Sequence, residues 1–398
     1  MINEESKVYF KRFIPFIVIL IGIPLLSFAF WYFYPTTKFQ ILVVDKTVAS
    51  EMRREHSSFF WILDHLRFVK EDGNKYNSDK DYFGFFPDGS ATFGESKGLG
   101  VLSEAEVVEL ARSKDFIFFA DTYGVFQDDF IEGESEDISS KIYGGLSAKD
   151  ILLIREARAN NKTIVAEYNT MASPTSRKNR VEFENLMGIK WTGWIGRYYE
   201  TSDTIPNPDI PDWFIREYKA QNQGNWLPEG SGIIFVHEDG RLFALQSETD
   251  YLNNIPEIRT QPINKHGFDL PEIMPYPDWF DIVLVERSYE VISYYDINPT
   301  SQGMQKLRDM GLPRFFPAAV VQDTSEGQLY YLSGDFSDLR QDLGSSHFTG
   351  LPGLWRGLHL ISNYNDREAF FWNYYYPLMS QILKKSALRK AEKKLPKR

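Results

Sequence analysis

The chain contains no cysteine among its 398 residues. It therefore forms no disulfide framework, no thiolate metal site and no cysteine nucleophile. The glycine-rich loops that cradle phosphates, Gly-x-Gly-x-x-Gly and the Walker motif, are also missing, which argues against nucleotide binding. None of the six histidines has the His-x-x-x-His spacing of a zinc site. We therefore predict neither a metal nor a cofactor.

Acidic residues outnumber basic ones over most of the chain, but not at the C-terminus. The formal net charge is −11, yet residues 384–398 carry eight basic side chains and one acidic one. Since the first fifteen residues add a net +1, residues 16–383 carry −19. A body this acidic repels phosphates, so nucleic acid is excluded as a partner. The basic tail could contact anionic lipid headgroups or an acidic polymer, or could simply be solvated.

One long apolar run is present, at residues 13–34, and it contains no charged side chain. Its length matches the ~20 residues needed to cross the hydrocarbon core of a bilayer. Basic residues precede the run and only Lys38 follows it closely, which predicts a cytoplasmic segment at 1–12 and an extracytoplasmic domain at 39–383. The alternative is a cleaved signal peptide with its small-residue site at 27–29. We predict a retained single-pass anchor in the cytoplasmic membrane.

Beyond residue 38, short apolar segments alternate with segments of helical periodicity. Ser103 and Glu106 predict a capping box at the start of one such helix. This alternation favours an α/β domain with a mostly parallel, doubly wound sheet and β-hairpin elaborations. A (β/α)₈ hydrolase barrel is the alternative. The clearest predicted strands are 39–45, 115–120 and 163–167, and the clearest predicted hairpin joins 232–237 to 241–245.

Three predicted strands end in a carboxylate, at Asp45, Asp121 and Glu167. In an open parallel sheet the ligand crevice lies outside the carboxyl ends of the strands, so these acids are candidate catalytic residues facing one cleft. Grouped carboxylates could bind a divalent cation or divide the acid and base roles of glycoside cleavage. They could equally cap the loops that follow the strands. His56, at the start of a predicted helix, is interpreted as a capping or core residue.

A second candidate site is the aromatic segment that follows a predicted helix near residue 187. Trp191, Trp194 and Tyr198 supply flat rings, and Arg197 supplies a cation. Such a segment could stack on sugar rings and pair with an anionic group, so we predict these four residues as ligand-binding candidates. The alternative is that the two tryptophans pack in the core.

Four motifs together resemble a known architecture: ILVVD at 41–45, FIFFADTYG at 116–124, GSGIIFV at 230–236 and YYLSGD at 330–335. In arrangement the chain is similar to extracytoplasmic class I glutamine amidotransferase-like domains, which have flavodoxin-like sheets. Glutaminase members of that family use a cysteine nucleophile, which this chain lacks. The resemblance therefore implies a pseudoenzyme-like fold used for binding, assembly or other chemistry, and it excludes glutamine hydrolysis.

These observations predict a membrane-anchored, extracytoplasmic binding or assembly protein of the cell envelope, linked to the synthesis or export of a surface polysaccharide. The absence of a complete catalytic motif favours a non-catalytic role. The expected partners are a lipid bilayer through residues 13–34, a membrane protein complex and a polysaccharide. Two alternatives remain open: an envelope glycan hydrolase using the strand-end carboxylates, and a structural subunit of a membrane complex.

Overall fold

The computed structural model describes residues 4–87, 94–130, 139–203, 207, 209–263, 265–325, 327–338 and 346–394. Its α-helices are α1 Glu4–Phe33, α2 Arg54–His65, α3 Glu104–Ser113, α4 Ala148–Ala159, α5 Arg177–Met187, α6 Asp212–Gln221, α7 Ser301–Asp309, α8 Leu351–Leu358, α9 Arg367–Phe370 and α10 Tyr376–Lys394. Its strands are β1 Thr37–Lys38, β2 Ile41–Asp45, β3 Phe68–Val69, β4 Tyr82–Phe86, β5 Glu95–Lys97, β6 Phe116–Asp121, β7 Val125–Phe126, β8 Lys141–Tyr143, β9 Thr163–Glu167, β10 Ile189–Tyr199, β11 Gly232–His237, β12 Leu242–Gln246, β13 Glu257–Thr260, β14 Ile273–Pro275, β15 Phe280–Val285, β16 Glu290–Asp296, β17 Phe316–Thr324 and β18 Gly327–Leu332.

Local sequence signals account for several of these boundaries. The predicted capping box at the start of α3 is confirmed, because Ser103 and Glu106 each bond the backbone N–H of the other. Ser147 and Asp150 form a second capping box at the start of α4. The predicted hairpin is also confirmed as β11 and β12, which pair antiparallel. Each of these features depends on residues close together in the chain, so sequence alone is sufficient to specify it.

The largest sheet has ten strands in the order β14-β13-β16-β17-β18-β9-β6-β2-β4-β5. Pairing is parallel only from β18 through β9, β6 and β2 to β4, which makes four of the nine strand pairs. The prediction of a mostly parallel sheet is therefore wrong, and the sheet is mixed. Only two residues separate β17 from β18, and a parallel crossover needs a dozen or more, so these strands pair antiparallel.

Helices cover both faces of the parallel strands. Along β6, alternate side chains point to opposite sides: Phe118 packs on Phe59 of α2 with ring centroids 4.4 Å apart, whereas Ile117 belongs to the core cluster that contains Ile154 of α4. A strand buried on both faces reads as a continuous apolar run, which is what the segment Phe116–Asp121 shows.

A second, antiparallel sheet of four strands, in the order β12-β11-β10-β15, adjoins the carboxyl end of β18. The two sheets are joined there by the backbone N–H of Asp281, which donates to the carbonyl of Ser333 at 2.6 Å, and by an isolated bridge between Phe280 and Gly334. The second sheet therefore stands beside the edge of the large sheet where the strand-end carboxylates lie.

The predicted transmembrane anchor at 13–34 is wrong. In the part of the chain that the structure describes, no helix combines the length and the apolar character needed to cross a membrane. The end of α1 also packs on the domain, because Trp31 is 5% exposed and its Nε1 donates to the carbonyl of His65 at 3.1 Å.

Other predictions depended on this anchor and are corrected with it. The location in the cytoplasmic membrane, with 1–12 inside and 39–383 outside, has no membrane-crossing helix in the described residues to support it. The function of a membrane-anchored envelope protein is corrected for the same reason. Of the predicted basic tail, residues 384–394 form the end of α10, and residues 395–398 lie outside the described residues.

Candidate functional site

A cleft of about 970 Å³ lies between the carboxyl ends of the central parallel strands and the second sheet. One wall consists of residues that directly follow strands of the large sheet: Tyr123 after β6, Tyr168 and Asn169 after β9, and Asp335 after β18. The opposite wall comes from β10 and β11. This is the position at which open α/β sheets bind ligands.

Flat aromatic rings line much of the cleft. Trp213, on α6, and Tyr123 are each 42% exposed, so both rings present open surface. Trp191, on β10, is 7% exposed, and the guanidinium of Arg180 lies over its ring at 5.3 Å. Trp279 also lines the cleft, and the guanidinium of Arg197 lies 5.6 Å from the Trp279 ring. Rings of this kind bury large apolar area against a ligand of matching flat shape.

The wall formed by β10 and β11 depends on a glycine. Gly193 has φ +85°, and a Cβ at this position would lie 2.7 Å from Nε2 of His237. A side chain here would therefore require both a left-handed backbone and displacement of the imidazole ring. Because Gly193 has no side chain, the imidazole of His237 can pack against it and line the cleft. Nδ1 of His237 lies 2.7 Å from Oδ1 of Asp239.

Ion pairing orders the charged side chains that line the cleft beside that wall. Arg180 forms two contacts with the carboxylate of Glu238, which fixes the guanidinium against Trp191. Paired contacts of this kind restrict an arginine to one orientation. The wall therefore offers preset hydrogen-bonding groups beside an aromatic surface.

Carboxyl groups with raised pKa values lie at the base of the cleft. Burial and the charge of Asp45 together raise the pKa of Asp121 to about 7, although the backbone N–H of Tyr123 donates to Oδ1 at 2.6 Å and opposes the shift. Burial also raises the pKa of Asp281 to about 7, against a hydrogen bond donated by the hydroxyl of Tyr331. Both groups can therefore exchange a proton close to neutral pH.

Asp335 has the same character and lines the cleft directly. Burial and the nearby charge of Asp338 raise its pKa well above the usual range, while the guanidinium of Arg367 opposes the shift. A carboxyl with a raised pKa keeps its proton to higher pH and can donate that proton, or a hydrogen bond, to a bound ligand. Asp335 is therefore the best-placed proton donor of the cleft.

The three predicted catalytic acids have separate environments. Asp45 and Asp121 are register partners on β2 and β6, so these two are neighbours as expected. Asp45, however, is fully buried, and its Oδ2 lies 2.6 Å from Nδ1 of His56. Glu167 is 1% exposed and accepts from the backbone N–H of Ser337 at 3.1 Å. Of the three, only Asp121 bonds residues that line the cleft, namely Tyr123 and Asn169.

His56 is fully buried in the core, which agrees with the second part of its interpretation from sequence as a capping or core residue. Its Nε2 lies 3.0 Å from the carbonyl of Ser78, which can only accept, so the proton on Nε2 is fixed. Within the described residues, no group of three or more His, Asp or Glu side chains is arranged to hold a metal ion.

The four predicted ligand-binding residues fall into three places. Trp191 lines the cleft, whereas Trp194 is 1% exposed and donates from Nε1 to the carbonyl of Met310 at 3.0 Å, in the core. Arg197 and Tyr198 line a different, small cavity of about 40 Å³. An irregularity in β10 between Trp191 and Ile195 shifts the strand register, so adjacent residues of this segment face different sides.

Sequence reasoning missed Trp213, Trp279, His237 and Asp335. Each lies in a different segment of the chain, and no spacing between them marks a common site. The only available signal was the motif YYLSGD at 330–335, in which an acid follows a strand in the same way as Asp121.

The similarities between this chain and known proteins are weak. No protein-family model and no curated protein matches the chain. A solved ThuA-like protein from Bacteroides uniformis is 10% identical, with a TM-score of 0.36 over 80% of this chain and 91% of that one. The GH42 β-galactosidase Gan42B is 11% identical, with a TM-score of 0.29 over 82% of this chain and 30% of that one. The exo-β-1,4-mannosidase Op5Man5, from an Opitutaceae bacterium, is 8% identical, with a TM-score of 0.31 over 86% of this chain and 36% of that one.

This chain therefore spans about a third of the length of each of those two glycosidases. All three TM-scores are below 0.5, so we infer neither family nor activity from them. The resemblance to amidotransferase-like domains stays a prediction.

Proposed function

We propose that the protein binds a saccharide-type ligand in the cleft beside the carboxyl ends of its central strands. One observation carries this proposal: open rings, Trp213 and Tyr123, and ordered polar side chains line the same cleft of about 970 Å³. A sugar ring has an apolar face that matches an aromatic ring and a rim of hydroxyl groups that need hydrogen-bond partners. The cleft supplies both kinds of surface.

The size of the cleft sets the scale of the ligand. Pockets for small molecules usually enclose about 300–1,000 Å³, so this cleft is near the upper limit and can accommodate more than one sugar ring. The two open rings come from different elements, Trp213 from α6 and Tyr123 from the loop that follows β6. A short oligosaccharide could therefore contact both rings.

A second candidate function, acid–base chemistry on the bound saccharide, is favoured by Asp335. This residue lines the cleft with a pKa held well above the usual range by burial, and Asp121 lies nearby with a pKa of about 7. Glycoside cleavage needs one protonated carboxyl to assist the leaving oxygen and a second carboxylate for base or nucleophile. In this scheme Asp335 donates the proton and Asp121, when ionised, takes the second role.

We expect Trp213→Ala to weaken saccharide binding by about tenfold, because it removes an open aromatic surface of the cleft without touching the core. A glycan array would identify the ligand, and isothermal titration calorimetry with that glycan would measure the affinity of each variant. Phe315→Ala is the matched control, since Phe315 is 43% exposed and does not line the cleft. Failure of every glycan to bind, or equal affinities for the two variants, would rule the proposal out.

A further inference from the structure

A second cavity, of about 200 Å³, lies at the amino ends of the central strands, the opposite edge of the large sheet from the cleft. It is bounded by the starts of β6 and β9 and by the last turns of α10. Four basic side chains line it: Lys162, Arg389, Lys390 and Lys393. Because the whole chain has a net charge of −11, such a concentration of positive charge is a local exception.

Two of the four cations are paired with carboxylates. Lys390 lies 2.6 Å from Oδ2 of Asp115, which is the one carboxylate among the described lining residues. Arg389 pairs with Asp323 and also donates to the carbonyl of Thr324. These contacts anchor α10 to the sheet and fix the positions of both cationic groups.

The other two cations are held only by neutral oxygens. Lys162 donates to the carbonyl of Arg112 at 2.7 Å, and Lys393 donates to the carbonyl of Asn161 at 3.1 Å. Among residues that the structure describes, neither ammonium group is paired with a carboxylate. The carbonyl of Arg112 belongs to the last turn of α3, where the backbone dipole attracts cations, whereas Asn161 lies just beyond the end of α4.

Helix ends alone do not balance this charge. Asp115 and Asp323 neutralise two of the four cations, and the end of α3 contributes roughly half a negative charge, so an excess of between about one and two positive charges remains. The side chains repel one another as a result. Burial lowers the pKa of Lys162 and the charge of Lys390 lowers it further, against the effect of Asp115, and burial, Arg389 and Lys162 lower the pKa of Lys393.

We propose that this cavity binds a phosphate-type oxyanion carried by a small soluble molecule. A tetrahedral oxyanion matches this remaining positive charge, and its oxygens can accept from ammonium and guanidinium groups that converge from α10 and from the start of β9. The site is distinct from the saccharide cleft, and the proposal does not depend on the proposed function.

The test uses the full-length protein with inorganic orthophosphate and pyrophosphate as probes, titrated calorimetrically against a chloride background of constant ionic strength. We expect saturable binding at one site. Lys393→Gln and Lys162→Gln should each weaken it by about tenfold, because each removes a charge-assisted hydrogen bond. Lys178→Gln, which changes an exposed lysine of α5 outside the cavity, should bind like the unmodified protein.

Lys393 lies on an exposed helix end, so its variant should fold even if Lys162→Gln does not, and circular dichroism melting would verify this. The absence of saturable binding would overturn the proposal, as would equal affinity in Lys393→Gln and Lys178→Gln. Binding to phosphatidylglycerol vesicles without binding to either soluble probe would also overturn it, because the ligand would then be a lipid headgroup.

Discussion

Replacing Asp150 with alanine is expected to lower the free energy of unfolding by about 3–5 kcal/mol. Lys46 is 5% exposed, and its Nζ lies 2.5 Å from Oδ2 of Asp150, which is fully buried. Without that carboxylate the ammonium would remain in the interior with the carbonyl of Gly145 as its remaining hydrogen-bond partner. An uncompensated buried charge is among the most destabilising defects that one substitution can create. Urea denaturation would measure the loss.

Asp150 also closes the capping box of α4, so the two contributions must be separated. Ser147→Ala is the control, because it removes the hydroxyl that bonds the backbone N–H of Asp150 but leaves the ion pair, and should cost about 1 kcal/mol. The double variant Lys46→Met, Asp150→Leu should recover much of the loss by removing both charges. If Asp150→Ala costs no more than Ser147→Ala, the ion pair does not carry the stability assigned to it.

The protein is also expected to unfold more easily at pH 8 than at pH 5. Burial raises the pKa of Glu167 from 4.5 to about 8 in the folded protein. Between these values the unfolded chain has released the proton and the folded protein still binds it, so stability falls as pH rises and levels off above about pH 8. The full shift corresponds to a loss on the order of 5 kcal/mol. Asp121 and Asp281, whose pKa values are raised to about 7, act in the same direction.

Glu167→Gln should flatten this dependence. The amide keeps an oxygen that can accept from the backbone N–H of Ser337 but does not ionise, so its stability should change less between pH 5 and pH 8. Glu109→Gln, at an exposed position of α3, is the control and should follow the unmodified protein. The measurement is urea denaturation at several pH values. Identical slopes for Glu167→Gln and the unmodified protein would show that another group is responsible.

The parts of the fold that sequence predicted correctly are local. The strands at Ile41–Asp45 and Thr163–Glu167, the capping box at Ser103 and the hairpin of β11 and β12 all depend on residues within about one element's length of each other. Periodicity, caps and turns act over the same distance, so they mark these elements before any tertiary contact forms. The mixed order of the large sheet is a property of distant segments, and no local pattern specified it.

Sequence also misjudged the apolar run at 13–34. Composition and flanking charge suggested a membrane span, but both describe the segment in isolation. Only the structure shows that Trp31 at its end is buried and bonded to His65, and that Ser27 accepts a hydrogen bond from the side chain of Thr349. Contacts with residues 34 and 322 positions away cannot be inferred from the segment itself.

For the candidate site, sequence by itself determined which chemistry was absent and where carboxylates followed strands. The lack of cysteine excludes a thiol nucleophile, and the position of Asp121 at the end of β6 follows from the local pattern. Tertiary structure decided the environment of each acid. The carboxylate of Asp45 contacts the imidazole of His56, Glu167 accepts from the backbone N–H of Ser337, and Asp335 lines the cleft. The reason is physical, because the pKa and partners of a carboxyl depend on burial and on neighbours brought together only by folding.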